Sequence, residues 1–370
     1  MTDCIVFWQR MLTPHMTELA RELARAGIEV HYVTEQALSK ERRAMGWQAD
    51  DLSEVEVHYI DTPDKARSLV KSLPQQAIHI TQGVRANGLI ADAQKQIMTN
   101  GLRHYPIMEK VDLRGFGGWI KPLVYALRFR AIATQSEGVL AIGEGTREWI
   151  TQRAPKSLRT FPFAYFLKGK HHHPTASNHS TFKFIFVGSL IKLKRIDLLI
   201  NALSGLAHRS FTLELVGDGP ASSAIEKLAH ELLPGRVALL GTLGMEAAVE
   251  RIAASDCLVL PSDQDGWGAV VSEAQINGTP VICSTECGSA GTVRASGFGA
   301  VFDAGDMKNL RHCLKNQLDR GRIDKVGREK LSTWARSLTA EAGAQYLLEI
   351  IRCSHDDDVR LIPPWDRAKA

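Results

Sequence analysis

One stretch limits the possible folds more than any other: LVLPSDQDGWGAVVSEAQINGTPVIC, residues 258–283. A short apolar run (257–260) gives way to a polar, glycine-bearing loop (262–268), then to a helical pattern (269–276) and a second apolar run (280–283). Gly278 stands where a helix stop favours positive φ, and Pro280 blocks continuation. The spacing predicts a strand, a loop, a helix and a second strand. First-turn amides of a helix have no partner within it and carry the positive end of its dipole, so the loop and helix start form a seat for a phosphate. Asp265 in the loop and Glu273 in the helix place carboxylates beside that seat, where they can read hydroxyls.

A chain of 370 residues exceeds what one core usually supports, so two domains are expected. A net charge of +4 is small over that length, and no stripe of Lys and Arg interleaved with aromatics suggests a nucleic-acid partner. The first residues lack a basic segment ahead of their apolar ones, and no apolar run approaches the roughly 18 residues of a membrane span. The expected location is the cytosol. Six cysteines, Cys4, Cys257, Cys283, Cys287, Cys313 and Cys353, are scattered and read as reduced thiols.

The alternation continues on both sides of the opening stretch and predicts parallel sheets covered on both faces. Residues 1–166 read as one doubly wound domain. Its first strand is followed by a helix with Thr13 and Pro14 at its start, and by no GxGxxG, so the loop is not shaped for a dinucleotide. Residues 167–181 are polar and aperiodic and read as a linker, in preference to a metal site built on their three consecutive histidines. Residues 182–335 repeat the strand and helix pattern. Residues 336–370 read as terminal helices and a tail packing back on the first domain.

Four loops of the second half, all at carboxyl ends of predicted strands, carry glycines: Gly188; Gly217 and Gly219; Gly266 and Gly268; Gly288 and Gly291. Such loops line one edge of a doubly wound sheet. Together with Lys194, Arg195, Asp265 and Glu273 they fit a ligand bearing both phosphates and hydroxyls, as a nucleotide sugar does.

In order along the chain, FIFVGSLIKLKRIDLLINAL (184–203), LELVGDGP (213–220), LLGTL (239–243) and DCLVLPSDQDGWGAVVSEAQINGTPVI (256–282) resemble the nucleotide-binding half of the retaining glycosyltransferases of family 4. VLAIGEGTREWI (139–150) and the terminal region look similar as well. The resemblance implies an α/β GT-B fold: two Rossmann-like doubly wound domains facing across a cleft, with a C-terminal helix crossing back to the first. It implies that Glu273 hydrogen-bonds ribose hydroxyls. Asp265, with the amides of Gly266, Trp267, Gly268, Ala269 and Val270, would address the donor sugar and diphosphate. The family usually has Glu where this chain has Asp265, and Arg where it has Ser189; Lys194 matches the family's lysine, and Arg195 is a candidate to compensate for the missing arginine.

On the acceptor side, Glu109 stands where many family members carry His, and His15 and Arg114 are further candidates. Asp263-Gln264-Asp265 is a DxD pattern, but it aligns with a motif that works without metal, so no metal and no cofactor is expected. The partners implied are a nucleotide-sugar donor and a glycan or lipid-linked glycan acceptor. Residues 103–130 combine six Lys or Arg with two acids and several aromatics. Two readings stay open there: a surface resting on the anionic inner-membrane face, or an ordinary helix packed on the sheet. The implied activity is transfer of a sugar in cell-surface polysaccharide synthesis. A nucleotide-sugar epimerase and a copy that binds nucleotide sugar without transferring it are the alternatives.

Overall fold

The computed structural model describes residues 4–38, 52–85, 87–114, 117–169, 181–353 and 361–367. The histidine tract and most of the expected linker lie outside these residues. The chain divides into two compact units, changing from the first to the second after Lys168, returning to the first at Ala340 and leaving it again after Pro364.

The first unit is built on seven parallel strands: β1 (Cys4–Met11), β2 (Glu29–Gln36), β3 (Glu56–Tyr59), β4 (Ile78–Gln82), β5 (His104–Glu109), β6 (Val139–Ile142) and β7 (Thr160–Phe163). Their order is 3-2-1-4-5-6-7. Helices cover such a sheet, so its central strands are apolar throughout; Ile5, Val6, Phe7 and Trp8 are all at 0% exposure. Two histidines are also enclosed. Trp8 Nε1 donates to His79 Nδ1 (3.1 Å), and Thr81 Oγ1 lies 2.7 Å from His104 Nε2. Burial pushes His79 down to about 4 and His104 to about 3, so both are neutral in the fold.

The second unit holds six parallel strands: β8 (Phe182–Val187), β9 (Phe211–Val216), β10 (Val237–Leu239), β11 (Cys257–Leu260), β12 (Val281–Ser284) and β13 (Gly299–Phe302), in the order 10-9-8-11-12-13. One continuous cluster, including Phe184, Leu199, Leu213, Leu258, Ile282 and Leu314, fills its interior. All six cysteines are free thiols.

Two strands escape sequence periodicity, and both are sheet edges. β7 contains Pro162, tolerated because an edge strand leaves one row of amides unused. β13 opens at Gly299 and is only half-buried until Phe302. The helix Ala340–Arg352 belongs to the first unit, where it packs against the helix Pro14–Arg25. Tyr346 stacks on Phe163 at 6.2 Å, and Arg159 Nη2 donates to Cys353 O (3.0 Å). The tail does not all follow it. Trp365 groups with the second unit, its ring 6.1 Å from that of Trp267, because a large aromatic finds an apolar partner there. No helix among the described residues is long and apolar enough to cross a membrane.

Candidate active site

Ligands of doubly wound sheets bind beyond the carboxyl ends of the strands where the strand order reverses. In the second unit that point lies between β8 and β11. These two pair only at Cys257↔Phe184 and Leu258↔Ile185, whereas β8 and β9 pair over all of Phe182–Val187. The loops that follow β8 and β11 therefore leave from diverging strands.

After β8 the chain passes Gly188 and Ser189 into a single 3-10 turn, Lys192–Lys194, and then Arg195, whose φ of 51° is left-handed. That conformation costs a non-glycine residue roughly 1–2 kcal/mol. Hydrogen bonds on both sides hold it. Arg195 Nη1 donates to Asp263 Oδ1 (2.8 Å) and its Nε to Asp197 Oδ1 (3.3 Å), while Asp263 N donates to Leu193 O (2.9 Å). Lys194 Nζ forms an ion pair with the Asp265 carboxylate, both side chains less than a fifth exposed. Each carboxylate of the DxD thus receives a basic side chain, and the two cations expected to face a diphosphate are held by acids from the loop after β11.

Gly217 supports this arrangement from below. Its φ is 128°, and a Cβ there would lie 2.0 Å from Gly188 O. The Gly219 amide is taken by Asp218 Oδ1 (2.7 Å) and Ser222 Oγ (3.0 Å). Both of these expected donor-binding glycines also allow one loop to pack closely on another, a Cβ at Gly219 falling 2.5 Å from Leu190 O.

The loop after β11 is clipped to residues 286–289. Asp265 N donates to Glu286 O (3.0 Å), Gly288 N to Asp265 O (2.9 Å) and Ser289 N to Trp267 O (2.8 Å). Gly268, at φ 78°, begins the helix Ala269–Ile276, and a Cβ there would meet Cys287 Sγ at 2.7 Å. No side chain caps that helix start. Asp265, bound to Lys194, does not cap it either. The Trp267 side chain turns inward, 3% exposed, with its indole donating to Ser272 Oγ (3.0 Å), so only its backbone is available to a ligand.

Glu273 lies in the middle of the helix, and no protein group hydrogen-bonds its carboxyl among the described residues. Desolvation alone pushes that carboxyl up to about 7. A half-buried carboxyl without protein donors, held above its ordinary range by desolvation, ionises at a cost that hydroxyls of a ligand would relieve.

In the first unit, the structure joins two of the acceptor-side candidates through a residue that the sequence did not flag. The Tyr165 hydroxyl donates to Glu109 Oε1 (2.6 Å), and the Tyr165 ring lies 4.0 Å from that of His15. Glu109 ends β5 and His15 sits in the first turn of the helix after β1, so Tyr165 bridges two carboxyl-end loops. Within FAYF (163–166) a tyrosine reads as one more core aromatic; no local pattern marks it. Arg114 is engaged in its own loop, where Nε and Nη2 grip the two oxygens of Asp112 at 2.9 and 3.0 Å and hold that carboxyl down at about 2.

Residues 168–352, half of the chain, match the family model for glycosyl transferases group 1. The D-inositol 3-phosphate glycosyltransferase of Mycobacterium sp. (strain KMS) is 33% identical over 143 residues, which cover 37% of this chain and 32% of that protein. Sulfoquinovosyl transferase SQD2 of Arabidopsis thaliana is 28% identical over 172 residues, covering 44% and 32%. The chain thus spans about a third of the length of these curated relatives. Among solved structures, HepE of Anabaena in complex with UDP aligns at a TM-score of 0.74 with 13% identity, over 95% of this chain and 100% of that one. WaaG, a glycosyltransferase involved in lipopolysaccharide biosynthesis, aligns at 0.66 with 18% identity, over 94% and 99%. The shared feature is the fold, two Rossmann-like parallel-sheet units of the GT-B class.

Proposed function

The chain belongs to the glycosyl transferases group 1 family, and from that premise we propose that it moves a sugar from a nucleotide-diphosphate donor to a hydroxyl acceptor with retention at the anomeric carbon. The observation that carries this reading is the half-buried Glu273 carboxyl, without a protein hydrogen-bond donor among the described residues, on the helix whose uncapped start follows the Lys194–Asp265 ion pair. Glu273 accepts hydrogen bonds from the ribose. The first amides of its helix face the diphosphate. As the bond from the anomeric carbon to the diphosphate oxygen breaks, charge grows on the leaving group, and Lys194 exchanges Asp265 for it. An interaction that strengthens as charge develops accelerates the reaction, whereas one equally strong in the bound substrate does not. Asp265, released, addresses the donor sugar's hydroxyls. The acceptor oxygen bonds the anomeric carbon from the same face, and its proton passes to the departing diphosphate. Glu109, Tyr165 and His15 serve the acceptor side. The transfer as proposed draws on no metal: Lys194 meets the charge of the leaving diphosphate, and Asp263 of the DxD stays paired with Arg195.

The acceptor class we propose is a cell-surface glycan, lipid-linked and presented at the inner membrane face. The helix Lys121–Ala133 and the turn before it support this: Trp119, Leu123 and Leu127, four residues apart, are 82%, 66% and 58% exposed, while Phe129 and Ile132 pack inward. An ordinary helix packed on the sheet would bury that stripe.

The direct test follows nucleoside diphosphate release from a panel of nucleotide sugars, beginning with UDP-glucose. Lys194→Ala is expected to lower turnover by about 10²–10³-fold, and Glu273→Ala to weaken donor binding. Unchanged turnover in both variants would sink the assignment. A second reading, a protein that holds the donor without transferring its sugar, is favoured by the occupied Lys194 and by Ser189 in place of arginine. UDP raising the melting temperature with no donor turned over would establish that reading instead.

A further inference from the structure

The amino-end edge of the first unit's sheet, opposite the loops that bear His15 and Glu109, carries a cluster that none of this chemistry uses. β2 and β3 begin with the same four residues, Glu-Val-His-Tyr, at 29–32 and 56–59. The two strands are parallel neighbours with His31 opposite Glu56. Residues two apart on a strand share a face, so Glu29, His31, Glu56 and His58 project together. Among the described residues, the only clusters of metal-ligating side chains with mutually close ligand atoms are two overlapping ones here, His31 with Glu56 and His58, and Cys4 with Glu29 and His31.

The first of these has the dimensions of a coordination site. His31 Nδ1 lies 3.0 Å from His58 Nε2, His31 Nδ1 3.4 Å from Glu56 Oε2, and His58 Nε2 3.4 Å from Glu56 Oε1. Ligands about 2.0–2.1 Å from a tetrahedral zinc ion are roughly 3.3 Å apart. The other ring nitrogen of His31, Nε2, is 2.9 Å from Glu29 Oε1. A proton on Nε2, donated to Glu29, leaves the Nδ1 lone pair aimed at His58 and Glu56. His58 has one N–H to offer that lone pair, and the Glu56 carboxylate then faces it with no hydrogen between them. A cation at the centre satisfies all three at once. The Glu29 contact matches that of a carboxylate which, from behind a metal-ligating histidine, fixes its tautomer.

We propose that His31 Nδ1, His58 Nε2 and the Glu56 carboxylate bind one divalent transition-metal ion of the zinc class, with Glu29 positioning His31 from behind. Two imidazoles and a carboxylate suit Zn²⁺, Ni²⁺ or Cu²⁺ better than Mg²⁺ or Ca²⁺. The Glu56 and His58 side chains are 64% and 23% exposed, which gives the ion a route from water and leaves its fourth position to solvent. The ion pins the four-residue edge strand β3 to β2 and is separate from the donor chemistry of the second unit. Motif spacing does not reveal it, because the ligands come from two strands.

The test uses the full chain, without an affinity tag, carrying His171→Ala, His172→Ala and His173→Ala so that the histidine tract does not compete. Co²⁺ is titrated and followed by its visible d–d absorption, then displaced with Zn²⁺. One equivalent with the spectrum of a nitrogen- and oxygen-ligated tetrahedral ion is expected, together with a rise in melting temperature. Glu29→Gln is expected to weaken binding by about 10–100-fold, and His58→Gln or Glu56→Gln by more. The latter two alter partly exposed side chains, so they test the ligands without emptying the core. No binding in the parent, or unchanged affinity in both His58→Gln and Glu56→Gln, overturns the proposal.

Discussion

At the scale of single residues, Glu273 makes the sharpest demand. Its carboxyl is raised above the unfolded value, so it costs the empty protein nothing at low pH, and stability is lost as pH rises through about 7. Donor binding runs the other way, since only the ionised form accepts two hydroxyls. Affinity for a nucleotide sugar, whose diphosphate does not titrate in this range, should tighten about tenfold between pH 6 and pH 8 and level off above. Glu273→Gln should abolish that slope, and calorimetric titration at several pH values will read it. A flat profile in the unmodified protein would show that Glu273 does not meet the ligand as a carboxylate. Glu273, Asp265 and Lys194 were legible in the sequence because each stands in a local pattern of strand, glycine loop and helix. Their pairing was not: Lys194 and Asp265 are 71 positions apart, and which cation takes which acid depends on how two loops leave diverging strands. Tyr165 escaped for the complementary reason, being chemically a core aromatic until the fold sets its hydroxyl on Glu109.

Elements were read best where burial imposes a period. β11 falls on the apolar run 257–260 and the helix Ala269–Ile276 on the helical pattern after it. The edge strands β7 and β13 did not, because an edge accepts proline, glycine and half-exposed residues that blur the signal. Between elements, loop-on-loop contact decides what a position tolerates. Gly217→Ala places a methyl group against Gly188 O and forces a strained φ, so it should cost several kcal/mol, roughly the upper range for a single substitution. Chemical denaturation will measure it, and a loss under about 0.5 kcal/mol would mean that the loops shift freely. The apolar stripe along the helix Lys121–Ala133 predicts binding to vesicles that contain anionic phospholipid and weak binding to neutral ones. Trp119→Ala with Leu123→Ala should reduce sedimentation with anionic vesicles while leaving the melting temperature unchanged. Equal sedimentation of variant and parent would return this helix to an ordinary surface role.

For the whole molecule, the two units differ in what they bury. His79 and His104 lie in the first and are held neutral, with folded values near 4 and 3 against an ordinary value of 6.5. Below about pH 6.5 the unfolded chain takes up protons that these rings refuse. Stability is therefore lost as pH falls from there toward 4 and then 3, by about 1.4 kcal/mol for each ring with every tenfold rise in proton concentration. The first unit should open first on acidification. Hydrogen exchange followed by mass spectrometry should show peptides of β4 and β5 losing protection at a higher pH than those of β8 and β11; simultaneous loss would contradict it. The division into two doubly wound units was legible from length and alternation, whereas the return of Trp365 to the second unit was not, since one aromatic in a polar tail carries no period.

The helix Ala340–Arg352 also sets an order of events during synthesis. Chains are made from the amino end, and domains generally fold as they emerge. Here the half translated first lacks the helix that packs against Pro14–Arg25 until residues 169–339 of the second unit have been translated. The ribosome thus releases the second unit ready to close around its own core, while the first must keep an apolar helix face uncovered for most of the time that the chain is being made.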